Sequence, residues 1–295
     1  MRIVGHRGAS HTAPENTLAS IRSALGDGHG FAVKLQLLRD GTLIVLHDDT
    51  LERTALHDPA KEYRAIVRAP ITTLRLQDVE DIDVGSFFGE EYSAERPPLF
   101  TDVLRELQRA AAVPGNVDAH CFAELKGEKP HDPKLPGVAA AIISALRVPP
   151  SRLTWISSSF PLLMEMKALC PKHKCLYIAD AADEKAAWRA AGVASKHSFL
   201  DGISLRANPS VVTAELCAWM RQRNKLVAVW VSRAPAKEDT PEVWSAMEEV
   251  GVDYFTSNLP PALKVWQRRR RRSSDIKMAA RRRRQVRLQR RNVSR

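Results

Sequence analysis

The sequence predicts an α/β fold, a TIM (β/α)8 barrel with a β-hairpin near its second strand. Nine short β-like runs recur along the chain, and amphipathic helical stretches fill most of the gaps between them. One pair of runs is separated only by "LRDG", far short of the dozen or so residues that a parallel crossover needs, so this pair reads as an antiparallel hairpin. Setting one hairpin partner aside leaves eight strands in βα alternation, the number that closes a barrel. A doubly wound open sheet is the competing architecture, but no glycine-rich dinucleotide fingerprint follows the first run.

The elements follow in order. "RIVGH" (2–6) is the first strand, and "ENTLASIRSAL" repeats its apolar residues at helical spacing. In "FAVKLQL" (31–37) the two-residue period puts Phe31, Val33, Leu35 and Leu37 on one face and Ala32, Lys34 and Gln36 on the other. "TLIVLH" (42–47) returns as the hairpin partner and ends in a histidine followed by two aspartates. "TDVLRELQRAAA" is the next long helix, leading to the strand "CFAELK" (121–126). From there the alternation is regular. The strands are "LTWISS" (153–158), "KCLYIA" (174–179), "DGISLR" (201–206), "LVAVWVS" (226–232) and "DYFTS" (253–257). The helices around them are "PGVAAAIISAL", "PLLMEMKAL", "DEKAAWRAA", "SVVTAELCAWMRQR" and "PEVWSAMEEV".

At 295 residues and 44% apolar content, the chain is long enough for one large barrel, with residues 1–267 as the domain and 268–295 as a tail. No run approaches the roughly 18 apolar residues of a membrane span, and the start "MRIVGHRGAS" lacks the apolar segment of a signal peptide. The expectation is a soluble, cytoplasmic protein. Its four cysteines show no paired framework and read as free thiols; "CPKHKC" has no second ligand cluster to complete a metal site. The net charge of +11 is not spread over the chain: residues 268–295 hold thirteen arginines and one lysine against one aspartate, or +13, leaving −2 for residues 1–267. A stretch so poor in apolar residues is expected to be disordered when free. It fits nonspecific nucleic-acid or anionic-membrane contact through charge alone, or a nuclear-localisation patch. A solvated extension without a partner is the other reading. No aromatic residue interleaves with the tail's arginines, so base stacking is not expected there.

In a barrel, chemistry gathers at the C-terminal ends of the strands. Those ends supply His6 and Arg7, His47 with Asp48 and Asp49, and Glu124 with Lys126. Each has a structural reading when taken alone, a hydrogen-bonded strand-end histidine being common. Sharing one address, they form a coherent set: histidines for general acid and base work near neutral pH, and cations suited to a phosphate.

The motifs "GHRGASHTAPENTLASI", "RDGTLIVLHDDTLERT", "DVGSFFGEEYSAERPPLFTDVL", "AELKGE", "LVAVWVS" and "GVDYFTSNLP" stand in the order and spacing of the glycerophosphodiester phosphodiesterase family. The chain resembles that family over about residues 3–266. The resemblance implies a TIM barrel that hydrolyses small glycerophosphodiesters of the glycerophosphocholine type to glycerol 3-phosphate and an alcohol. It also implies His6 and His47 as catalytic acid and base, Arg7 and Lys126 at the phosphate, Glu124 as a ligand to a divalent cation (Mg or Ca), and Trp230 as an aromatic wall beside the substrate. Core packing is the other reading of Trp230. Glu15, within "PENT", has two readings, as a brace for the site or as a helix N-terminal residue.

Members of the family usually carry a Glu-x-Asp metal pair on the second strand, and alignment on "RDG" puts that pair at Ala32 and Lys34. Ser257 and Asn258 stand where Thr-Asp is frequent, and Val231 and Arg233 where Thr and Asn are frequent. Two expectations follow. Either the Lys34 ammonium takes the place of the metal, giving a diesterase that needs no cofactor, or catalysis is lost and the barrel is a pseudoenzyme that binds phosphodiesters.

Overall fold

The computed structural model describes residues 1–55, 63–126, 133–232, 238–272 and 278. It has two compact units, Met1–Pro260 and Pro261–Arg295. In the first, eight parallel strands close into a barrel: β1 (Arg2–His6), β2 (Gly30–Leu37), β4 (Cys121–Leu125), β5 (Leu153–Ser157), β6 (Lys174–Ala179), β7 (Gly202–Arg206), β8 (Leu226–Trp230) and β9 (Tyr254–Ser257). Closure is made by β1, which pairs with β9 on one side and β2 on the other. All nine runs expected from the sequence are strands. β3 (Leu43–Val45) lies antiparallel to β2, and Leu35 pairs with Val45.

Helices wrap the barrel where the helical patterns fall: α1 (Leu18–Gly26), α4 (Phe100–Ala111), α5 (Leu135–Ala145), α6 (Phe160–Leu169), α7 (Glu184–Lys196), α8 (Ala214–Gln222) and α9 (Pro241–Val250). The short α2 (Arg64–Arg68) and α3 (Leu76–Val79) belong to the long excursion between β3 and α4. Several starts are set by one side chain. Thr17, Asp183, Thr213 and Thr240 each accept a backbone N–H from the first turn of α1, α7, α8 and α9, pairing donors that the helix itself leaves open. α9 stops at Gly251, whose φ of 84° lies in the left-handed region that glycine enters without a Cβ clash.

Inward residues of the strands form layers. Val4, Ala32, Phe122, Ile156, Leu176, Ala228 and Tyr254 pack together as an apolar plug. The two-residue period then carries the next inward position of β1, β2, β4 and β8 to His6, Lys34, Glu124 and Trp230, one layer nearer the C-terminal mouth. The opposite face of β2 meets the helices: Phe31, Val33 and Leu35 are fully buried.

In the second unit the chain is helical through residue 272, and the Arg270 guanidinium lies 5.3 Å from the Trp266 ring centroid. Residues 268–272, assigned by the sequence to a disordered tail, are thus part of a helix. Arginine is a good helix former and extends one already begun. Apart from residue 278, the remainder of the expected tail lies outside the described residues.

Candidate active site

β1 ends in His6, and the next residue turns sharply. Arg7 has φ 59° and Gly8 φ 84°. Gly8 packs directly on Ser20, so that a Cβ there would come within 2.3 Å of the Ser20 hydroxyl. The turn is held from α1 and the loop before it: the Ser20 hydroxyl donates to the Arg7 carbonyl at 3.1 Å, and the Asn16 N–H does so at 2.9 Å. A non-glycine residue in the left-handed region costs backbone energy, and here two hydrogen bonds oppose that cost. The result aims the Arg7 guanidinium at Glu15 Oε1, 2.7 Å away.

The hairpin explains how His47 arrives beside His6. β1 pairs with β2 only as far as His6 opposite Ala32, and β3 pairs with β2 from Leu35 onward. β3 runs back toward the start of β2, and the Leu46 N–H reaches the Lys34 carbonyl at 3.0 Å. His47 follows directly, one residue past the Leu46 that faces Lys34. The Gln36 amide donates to the Asp48 carbonyl at 2.5 Å and pins this chain end.

On β2 and β4, Lys34 and Glu124 are register partners, and their side chains form a direct ammonium–carboxylate pair with each side chain 14% exposed. Burial pushes the Lys34 pKa down, against the upward pull of Glu124. Burial also acts to raise the Glu124 pKa, but Lys34, by charge and hydrogen bond, and Lys126 hold it below its ordinary value. Glu124 is therefore ionised near neutral pH, with the Lys34 nitrogen as its direct hydrogen-bond partner.

The two histidines sit in different surroundings. His6 is buried, and its Nδ1 lies 2.9 Å from Asn258 Oδ1. Burial holds it well below 6.5, with Arg7 and Lys34 pushing the same way and Asn258 and Glu15 opposing. His47 Nδ1 lies 2.5 Å from the Asp48 carboxylate. Burial lowers its pKa too; Asp48 pulls upward, and Arg7, Lys34 and Lys126 add to the fall. Both imidazoles are neutral near pH 7. Both also feel Arg7 and Lys34, so the structure brings His6, Arg7, Lys34, His47, Glu124 and Lys126 to one mouth.

The cap of α1 is Thr17, and Glu15 is turned instead toward two arginines. Its carboxylate accepts from Arg7 and, at 2.6 Å, from Arg53. Burial would raise its pKa, but the hydrogen bonds and charges of the two arginines bring it to about 2. Arg53 also donates to Asp48 Oδ2 at 2.5 Å. A continuous chain of contacts, Arg7–Glu15–Arg53–Asp48–His47, therefore ties the first-strand loop to the hairpin. Sequence reasoning missed Arg53, although it lies in "HDDTLERT" six residues past His47. Trp230 is half-buried at the end of β8, beside Arg206 and Thr256 in register. Its indole N–H has no partner among the described residues. Val231 is buried, and Arg233 lies outside the described residues.

The donor set does not fit a divalent cation. Magnesium and calcium take several oxygen ligands; here Ala32 supplies none, Lys34 is a cation, and the Glu124 carboxylate is already held by Lys34. Among the described residues no group of three or more His, Cys, Asp or Glu is placed to hold a metal. No helix among the described residues is long and apolar enough to cross a membrane.

Three kinds of relative resemble this chain. The profile of the Glycerophosphoryl diester phosphodiesterase family matches residues 6–261. A glycerophosphodiester phosphodiesterase of Caldanaerobacter subterraneus subsp. tengcongensis is 32% identical over 103 residues, covering 35% of this chain and 38% of that one. One from Bacillus subtilis is 34% identical over 98 residues, covering 33% and 30%. The aligned stretches thus span well under half the length of these curated relatives. Among solved structures, an Oleispira antarctica phosphodiesterase in complex with the product sn-glycerol-3-phosphate superposes with a TM-score of 0.69 at 22% identity, over 90% of this chain and 96% of that one. A glycerophosphodiester phosphodiesterase from Agrobacterium tumefaciens gives 0.65 at 21%, over 89% and 98%. At such identities the superpositions speak for the TIM-barrel fold. With the profile spanning nearly the whole barrel, the chain belongs to the glycerophosphoryl diester phosphodiesterase family.

Proposed function

We propose that this barrel hydrolyses small glycerophosphodiesters to glycerol 3-phosphate and an alcohol, with Lys34 in the place of the family's divalent cation. The supporting observation is the layer at the mouth: two neutral histidines beside Arg7, Lys34 and Lys126, with one carboxylate among them. In the reaction a water oxygen bonds to phosphorus as the ester bond to the alcohol breaks. One neutral histidine takes the water proton; the other, also neutral at rest near pH 7, first takes up a proton from solvent and then gives it to the departing alcohol oxygen. Arg7 and Lys126 face the phosphate. An ammonium has three donors, so Lys34 can keep Glu124 and still offer donors to a phosphate oxygen. Trp230 forms a wall for the alcohol group. A lysine supplies one charge where a metal supplies two and a Lewis-acid centre.

The Lys34–Glu124 pair also favours a second reading. Its charges neutralise each other, which suits a pseudoenzyme that binds diesters without turnover. Hydrolysis of glycerophosphocholine and glycerophosphoinositol, run in chelator and then with added magnesium or calcium, separates the two. Turnover that survives chelator and falls about 10²- to 10⁴-fold in both His6→Ala and His47→Ala supports the lysine-based diesterase. No turnover in any condition, with diester binding retained, supports the pseudoenzyme. Residues 268–295 are assigned by charge to nonspecific contact with polyanions, nucleic acid or anionic membrane, and the same run fits a nuclear address.

A further inference from the structure

We propose that Asn258 is the positioning residue for His6, fixing the imidazole with its proton on Nδ1 and its free lone pair on Nε2, the atom that faces the reaction. The inference rests on the two-histidine reading above and adds the residue that sets one of the histidines.

The geometry leaves little choice of orientation. Asn258 has one carbonyl oxygen and one NH2 group, and the NH2 donates to the Ser232 carbonyl at 2.8 Å. Flipping the amide would set two carbonyl oxygens face to face and lose that bond. Oδ1 therefore points at His6 Nδ1, 2.9 Å away. Because Oδ1 only accepts, Nδ1 must carry the hydrogen, and the neutral ring is left with its lone pair on Nε2.

Asn258 is itself held from below. Its backbone N–H donates to Asp239 Oδ2 at 2.7 Å. Asp239 is buried and accepts three further donors: the Ser257 hydroxyl at 2.9 Å, the Trp244 indole at 2.7 Å and the Leu259 N–H at 3.1 Å. A carboxylate with four donors around it is a rigid anchor at the end of β9.

An amide and a carboxylate differ in what they do for the ring. Both accept from Nδ1 and both favour the imidazolium, but the full charge of a carboxylate does so more strongly than the amide's hydrogen bond. The other charges facing His6 are Arg7 from the same strand end, Lys34 from β2 and Glu15 from the loop before α1. Burial and the two cations outweigh the one anion and the amide hydrogen bond, so His6 is left unprotonated and ready to accept a proton. His47, by contrast, has the Asp48 carboxylate on its Nδ1.

The test is ¹⁵N NMR of the full chain with labelled histidine, the His6 signals being identified by their loss in His6→Gln. The parent should show a protonated Nδ1 and an unprotonated Nε2 at pH 8. Asn258→Ala should lose this preference and lower kcat about 10- to 100-fold, part of what a positioned acid or base contributes, with little change in KM. Asn258→Asp should restore the tautomer and move the acid limb of the kcat profile upward by about 1 to 2 pH units, because a carboxylate beside a histidine favours its cation. A parent His6 protonated on Nε2, an Asn258→Ala spectrum like the parent's, or an unmoved acid limb in Asn258→Asp would each overturn the proposal. The parent spectrum is informative even if a variant fails to fold. Full activity in His6→Ala alongside the expected tautomer would instead sink the two-histidine reading and leave the positioning role standing.

Discussion

Replacing Lys34 with methionine leaves the Glu124 carboxylate facing a thioether in a place where each side chain is only 14% exposed. Removing one partner of a buried ion pair costs about 3–5 kcal/mol. Protonation sets a ceiling on that cost. Glu124 can escape by binding a proton, at about 1.4 kcal/mol for each pH unit above its ordinary 4.5. The ceiling is then about 3.4 kcal/mol at pH 7 and about 0.7 kcal/mol at pH 5. The sign is fixed by the parent, where Lys34 depresses the Glu124 pKa: the stability this group contributes is present above 4.5 and lost as pH falls through the folded value. The variant's deficit must therefore grow as pH rises. At about 2–4 °C per kcal/mol for a domain of this size, Tm should fall by up to about 7–14 °C at pH 7 and less than about 3 °C at pH 5. Thermal unfolding followed by circular dichroism at pH 5, 6 and 7 reads this directly. Lys34→Met combined with Glu124→Gln should recover most of the loss, since no charge is left unpaired. A deficit that does not change with pH, or one under about 2 °C at pH 7, would refute the reasoning.

Glu15→Gln removes a carboxylate held at about 2, so the stability it adds, full above 4.5 and lost as pH falls through 2, should disappear. The Tm–pH curve of this variant should be flatter in acid, and an unchanged acid limb would count against the Arg7–Glu15–Arg53 brace. The double change Ala32→Glu with Lys34→Asp sets three carboxylates together with Glu124 and should be inactive in chelator, gaining diesterase activity only with magnesium or calcium. Activity in chelator would show that no cation of either kind is needed at that place. Truncation after Arg272 removes eight arginines and one lysine against one aspartate. Hydrolysis of small diesters should be unchanged, while heparin affinity should drop and lose its steep salt dependence; equal heparin binding by both forms would place the polyanion contact elsewhere.

Much of the site is legible one strand at a time. His6, His47, Glu124 and Lys126 stand at the ends of runs whose periodicity marks them as strands, and a barrel puts all such ends on one rim. Lys34 is readable as an inward residue because Ala32 and Gln36 share its face. The partners of these residues are a different matter. Asn258 is 252 positions from His6, and Arg53 is 38 from Glu15. No periodicity connects such pairs.

The sequence by itself determined the barrel, the strands and helices that build it, the place of the basic charge beyond the domain, and the presence of Ala32 and Lys34 on the second strand. Each is a local property: alternation over a few residues, composition over a few dozen, or one residue standing in a motif. Only the tertiary structure decided what those residues touch. Closure between β1 and β9 sets Asn258 against His6, and the adjacency of β2 and β4 puts Lys34 opposite Glu124. The early end of the β1–β2 ladder leaves room on β2 for the hairpin strand that carries His47 back to the mouth. Hydrogen bonds and ion pairs act over about 3–4 Å, so their partners are set by register and closure, which depend on the whole chain at once.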